Sequence, residues 1–213
     1  MIELNQIKLA LSEQEYLSVE NFRVPIGESV AIIGPSGSGK TSFLKMLAGQ
    51  STPEEGLIKI DGNSEVNGGK PNSRNFFYSI PSEPHLLDFL TVKANITITK
   101  KYFPNQPAFH DVDDLLQKFG LSDRANLKPA TLSQGEKQRA SICRALFLGH
   151  PCILADEPLS HLSPPGRREA LKTILNYTKK SNSSLIMATH NHELLNRFDK
   201  VYKIQEGTIV SCH

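Results

Sequence analysis

Two short stretches of this 213-residue chain hold residue types that can do chemistry together. The first is GPSGSGKTS (34–42), which fits G-x-x-x-x-G-K-[ST] with Gly34, Gly39, Lys40 and Thr41 at the fixed positions. Glycines let a backbone wrap closely, so that the N–H groups of Pro35's neighbours Ser36, Gly37, Ser38, Gly39 and Ser42 can point at a phosphate. A helix starting there adds its positive end to the same anion. Lys40 would neutralise β and γ phosphate charge, and the Thr41 hydroxyl is a hard oxygen ligand for Mg2+. The second stretch is CILADEPLSHLSPPG (152–166), where an apolar run ends in two adjacent acids, Asp156 and Glu157. Burying unpaired charge is costly, so a buried run ending in two carboxylates needs a partner for them. The carboxyl ends of strands are where α/β sheets meet their ligands.

The elements that must position these groups are legible in the hydrophobic pattern. SVAII (29–33) runs directly into the glycine-rich stretch, and CILA (152–155) and SLIMAT (184–189) are similar short apolar runs. Each fits a strand buried on both faces. Helical patterns lie between them: 42–48 ending at Gly49, 136–148 ending near Gly149, and 164–180 with prolines near its start. The N-terminal part alternates at period two through Ile2 and Leu4, then Ile7, Leu9 and Leu11. LIKIDG (57–62) ends in a hairpin-type Asp-Gly pair. Buried strands alternating with helices predict an α/β fold with a mostly parallel sheet. An antiparallel β subdomain lies near the N-terminus. Residues from about 84 to 131 break the rhythm and look helical and loop-like, an inserted lobe.

Composition excludes several classes. Charged residues are 22% and the net charge is +2, which gives no electrostatic case for a nucleic-acid partner. No window approaches the 18 or so apolar residues that a membrane span requires. The three cysteines lack metal-ligand spacing and read as reduced thiols of a cytosolic protein.

The phosphate loop alone says only P-loop NTPase, a class that includes kinases, GTPases and motors. LSQGEKQR (132–139) narrows it, because it resembles the signature of ATP-binding cassette (ABC) ATPases, usually LSGGQ before a basic helix. Ser133 and Gly135 keep their places, while Gln134 and Glu136 differ. Read without the resemblance, Ser133 with Glu136 is a helix capping box. ILADEP (153–158) resembles the family's Walker B strand, MATH (187–190) its switch-histidine segment, and LLDFLTVKANI (86–96) the segment after its Q-loop. The order of the motifs matches the family across essentially the whole chain.

The resemblance implies one nucleotide-binding domain over 1–213, with a helical subdomain at about 84–145, that hydrolyses ATP with Mg2+. Asp156 would hold the Mg2+ shell with Thr41. Glu157 would be the general base, and His190 would contact the γ phosphate and orient the water. Ser133 and Gly135 would face ATP held by a second nucleotide-binding domain, so the active form should be a dimer, most simply a homodimer. A separate transmembrane permease subunit is the implied partner, with this chain cytoplasmic and peripheral at the inner face of the cell membrane. The spelling ILADEP leans toward the lipoprotein-release and macrolide-export group. The competing readings are a slow or regulatory cassette and a soluble ABC ATPase outside transport.

Three positions depart from the family pattern. Ser82 stands where the Q-loop glutamine is expected, and no glutamine occurs between Gln50 and Gln106. Glu83 is the candidate substitute. Leu11 stands where an aromatic would stack on adenine, which implies weak base selectivity unless Tyr16 contributes. Ser163 replaces the aspartate after Leu162 and is expected to cap the next helix while supplying no charge.

Overall fold

The computed structural model describes residues 1–60, 64–67, 76–106 and 108–212. β1 (Ile2–Ala10) and β2 (Tyr16–Val24) form an antiparallel hairpin, from Ile2 opposite Val24 to Ala10 opposite Tyr16. The shift in apolar parity between Leu4 and Ile7 has a physical cause. Gln6 adopts φ 51°, and the pairing of β1 with β4 (Glu55–Ile60) slips between Asn5 and Lys8. This bulge re-aims the strand so that Ile2, Leu4, Ile7 and Leu9 are all buried. The Asp61 and Gly62 turn lies outside the described residues. The strands on either side, β4 and β5 (Ser64–Asn67), pair antiparallel.

β3 (Ser29–Ile33), with all five residues buried, leads into the phosphate loop and α1 (Lys40–Leu47). β6 (Phe77–Ile80) precedes three helices, α2 (Val92–Thr97), α3 (Thr99–Tyr102) and α4 (Val112–Lys118). α5 (Gln134–Leu146) leads to β7 (Cys152–Asp156), α6 (Pro164–Lys180) and β8 (Ser184–Ala188). The hairpin β9 (Lys200–Gln205) and β10 (Thr208–Ser211) completes the sheet.

The strand order is β5-β4-β1-β2-β10-β9-β3-β8-β7-β6. The block from β9 to β6 is parallel throughout, and β5, β4, β1 and β2 are antiparallel to their neighbours in that block of four. One parallel pairing, Thr208 with Ser18, joins the hairpin β9–β10 to β2.

The continuous apolar runs are explained by two cores. Ala31, Ile33, Ile153, Ala155, Leu185 and Met187 face the helices α2, α4, α5 and α6. Val30, Ile32, Cys152, Leu154, Ile186 and Ala188 face α1 and the antiparallel strands. A strand sends alternate side chains to opposite faces, so strands clad on both sides must be apolar at every position. Each fully buried Val, Leu or Ile contributes about 1.5–3 kcal/mol.

α6 begins differently from expectation. Ser163 occupies its N-cap position with extended backbone, yet its hydroxyl makes no cap hydrogen bond. Pro164 and Pro165 fill the first helical positions and have no N–H to donate, which leaves the hydroxyl with fewer donors to accept from.

Candidate functional site

A cleft of about 450 Å³ opens at the carboxyl ends of β3, β7 and β8. Its wall includes Gly34, Ser36, Gly37, Gly39, Lys40, Thr41 and Ser42 on one side and Asp156, Glu157 and His190 on the other. The volume falls in the range of pockets that take small ligands. Gly39 sits at φ 98°, where a side chain would be strained, and a Cβ there would lie 3.0 Å from both Leu11 methyls. Backbone conformation therefore favours glycine there, and a side chain would in addition push the Leu11 methyls aside by a few tenths of an ångström.

Lys40 is buried, and its Nζ donates to the carbonyls of Gly34 and Pro35, each at 2.8 Å. Those bonds curl the loop around its own lysine and hold a positive charge beneath the backbone N–H groups. The Thr41 hydroxyl donates to Asp156 Oδ2 at 2.7 Å. That contact joins the first turn of α1 to the end of β7 and sets two hard oxygens side by side. No group of three or more His, Cys, Asp or Glu able to hold a metal occurs among the described residues. Two oxygen donors suit a Mg2+ that keeps water and substrate phosphate as its other ligands.

Glu157 follows at φ 45°, in the left-handed region that non-glycine residues avoid, and its N–H donates to the Ala188 carbonyl at 3.0 Å. Strained backbone of this kind gathers at functional sites. The turn swings the carboxylate toward β8, where Oε2 lies 2.9 Å from Nδ1 of His190. An acid held by a histidine beside phosphate donors and a metal-type oxygen pair can take a proton from water attacking a bound phosphate.

The segment LSHLS after Glu157 is anchored by its leucines, since Leu159 and Leu162 are buried in the helical core. Arg167 of α6 clamps its backbone: Nε donates to the Leu162 carbonyl at 2.8 Å and Nη2 to Ser160 at 3.2 Å. Sequence reasoning missed Arg167, because nothing local marks a side chain that reaches back five to seven residues.

Other expected residues lie elsewhere. Pro35 and Ser38 belong to the loop without lining the cleft, and neither Ser133 nor Gly135 lines it. At the start of α5 the capping box is formed, with Ser133 N–H and Oγ–H donating to Glu136 Oε2 at 2.8 Å and Glu136 N–H donating back to Oγ at 3.3 Å. These bonds, with Arg124 Nε on Oε1 at 2.9 Å, hold the Glu136 carboxyl down at about 2. The N–H groups of Gln134 and Gly135 lie in the first helical turn, where no intrahelical partner exists.

Ser82 and Glu83 are also outside the cleft wall. Glu83 instead faces His161, Oε1 to Nε2 3.5 Å, which ties it to the LSHLS segment. Gln138 of α5 is fully buried and donates to the Pro81 carbonyl at 3.4 Å, a second unforeseen link to this region. Tyr16 does not line the cleft, and its ring carries the Lys8 ammonium 4.5 Å from its centroid. Leu11 does line it, together with Glu15.

A family model described as ABC transporter matches residues 17–160. The lipoprotein-releasing system ATP-binding protein LolD of Rickettsia bellii is 34% identical over 191 residues, covering 89% of this chain and 86% of LolD. The L-cystine import ATP-binding protein TcyN of Bacillus subtilis is 35% identical over 221 residues, covering 99% of this chain and 84% of TcyN. Among solved structures, a dimeric bacterial ABC transporter cassette, MJ0796, superposes with a TM-score of 0.82 at 25% identity, over 98% of this chain and 96% of that one.

Proposed function

The chain belongs to the ABC transporter family of ATP-binding, ATP-hydrolysing domains, and on that premise we propose that its cleft turns over MgATP with Glu157 as the general base. The observation that carries this reading is the 2.9 Å Glu157–His190 contact beside Lys40 and the Thr41–Asp156 pair. In this account the N–H groups of 34–42 and Lys40 hold the β and γ phosphates. Thr41 and Asp156 would hold a Mg2+, whose charge would neutralise the phosphates. Glu157 accepts the proton of the attacking water as its oxygen bonds to the γ phosphorus and the bond to ADP breaks. His190 fixes the Glu157 carboxylate and reaches the γ phosphate. The helix start at Ser133 and Gly135 lies away from this cleft in one chain, which supports a site completed by the partner of a dimer.

No helix among the described residues is long and apolar enough to cross a membrane. We assign the coupling partner as a separate transmembrane permease, docked at the inner membrane face through the helical lobe at about 84–145. Phe89 and Tyr102, 72% and 69% exposed, belong to that lobe. The relatives named for lipoprotein release and for cystine import are equally similar, so the transported molecule is assigned to the permease and not to this chain. Ser163 without charge, and Glu83 paired with His161 outside the cleft, favour slow basal turnover that permease docking raises.

Two experiments test the reading. Phosphate release should fall on Glu157→Gln while ATP still binds, and the tagged chain should co-purify from membranes with a multi-span protein. Unchanged release, or a chain recovered alone from membranes, would count against it.

A further inference from the structure

Glu157 sits at φ 45°, a conformation that a non-glycine residue keeps only when its surroundings hold it there. One side of this turn is fixed by β8, through the bond from Glu157 N–H to the Ala188 carbonyl at 3.0 Å. The other side runs into two successive tight turns. Ser160 N–H donates to the Glu157 carbonyl and Leu162 N–H to the Leu159 carbonyl, both at 3.1 Å. The next carbonyls, those of Ser160 and Leu162, are both taken by the Arg167 side chain, through Nη2 at 3.2 Å and Nε at 2.8 Å. Arg167 is itself fixed in the first turn of α6, where its N–H donates to the Ser163 carbonyl at 2.8 Å. α6 in turn packs against β8 and α5. A pocket of about 10 Å³ is walled by Glu157, Ser160, Arg167, Thr189 and His190, so the clamp borders the same small space as the reacting pair.

We propose that Arg167 is a positioning residue for hydrolysis: its guanidinium fixes the loop after Glu157 and thereby the direction of the Glu157 carboxylate. The inference rests on Glu157 being the general base. The buried Leu159 and Leu162 side chains set how deep the loop sits, but apolar burial is non-directional and leaves its backbone torsion open. A guanidinium presents its N–H groups in a rigid planar fork, so two carbonyls two residues apart are held in one fixed relation. An ammonium is a point charge on a flexible stem and does not impose that geometry. Without the fork, the loop keeps its leucines, the turn at Glu157 relaxes, and the carboxylate leaves the line of the attacking water. The phosphate contacts lie on the 34–42 loop and are untouched. The effect therefore falls on the chemical step and not on nucleotide binding.

The test is single-turnover hydrolysis of radiolabelled ATP with Mg2+ by the full-length chain, with ATP affinity and a thermal melt measured alongside. Arg167→Ala should lower the rate constant about tenfold or more, the scale of a misplaced catalytic group, while affinity changes by less than about twofold. Arg167→Lys keeps the stem and the charge, so it should fold as the wild type does and still lose about fivefold or more in rate. That variant carries the test should the alanine protein fail to fold. In the Glu157→Gln background, either Arg167 variant should change the residual rate by less than about twofold, because residues that act as a unit are not additive. A wild-type rate in a folded Arg167→Ala or in Arg167→Lys would overturn the proposal. Equal losses with and without Glu157→Gln would overturn it too, as would an affinity loss matching the rate loss, since each is what a merely structural role gives. Failure of the underlying reading looks different: Glu157→Gln alone would then leave the rate unchanged.

Discussion

His190 and Glu157 come from the ends of two neighbouring strands and meet with Nδ1 2.9 Å from Oε2. The contact holds the Glu157 carboxylate beside the imidazole. His190→Ala should therefore lower the rate of hydrolysis by about 10²-fold, the scale of a misplaced catalytic group. Nucleotide affinity should change far less, since His190 is 65% exposed and Lys40 carries the phosphate charge. Steady-state phosphate release together with equilibrium binding separates the two effects.

Lys40 should behave in the opposite way. Its Nζ is already drawn into the loop by the Gly34 and Pro35 carbonyls, so it stands ready where phosphate charge arrives. Lys40→Ala should weaken nucleotide binding by at least about tenfold, as expected for losing a charge-assisted contact worth about 1.5–3 kcal/mol. Fluorescent-nucleotide titration checks this, and unchanged affinity would remove the loop from the site.

The start of α5 predicts an acid-side stability change. Hydrogen bonds from Ser133 and Arg124 depress Glu136 from its ordinary 4.5 to about 2 in the folded chain. Its ionised form is the one stabilised, so its contribution is full above about 4.5 and is lost as pH falls toward about 2. Denaturant midpoints measured from pH 5 downward should fall more steeply for the wild type than for Glu136→Gln. Parallel curves would contradict the assignment. At neutral pH, Ser133→Ala should cost about 1 kcal/mol, the usual value of an N-cap.

Ser163 offers a gain-of-function test. It is exposed and its hydroxyl caps nothing, so an aspartate fits without displacing a partner. Ser163→Asp should stabilise α6 by about 0.5–1 kcal/mol through the helix dipole. It should also raise basal ATP hydrolysis by restoring a charge where Ser160, Leu162 and Arg167 hold the loop. A thermal melt and a phosphate-release assay report the two parts, and an unchanged basal rate would sever Ser163 from slow turnover.

Much of this architecture was legible because its signals are local. The runs at 29–33, 152–155 and 184–189 are apolar at every position, and strands clad on both faces leave no other choice. The boundaries of α6 follow from Pro164, Pro165 and its periodic apolar face. The parity change in β1 was visible in Leu4 and Ile7, although the bulge at Gln6 that causes it was not. What escaped is long-range. Glu83 on His161, Gln138 on Pro81 and Arg167 on the Ser160 and Leu162 carbonyls leave no periodicity or motif to find.

The most direct measurement is phosphate release from saturating MgATP by the wild type and by Glu157→Gln, at protein concentrations that favour the dimer. The account predicts a fall of about 10²-fold or more, the usual contribution of a general base. Equal rates in the two proteins would contradict it.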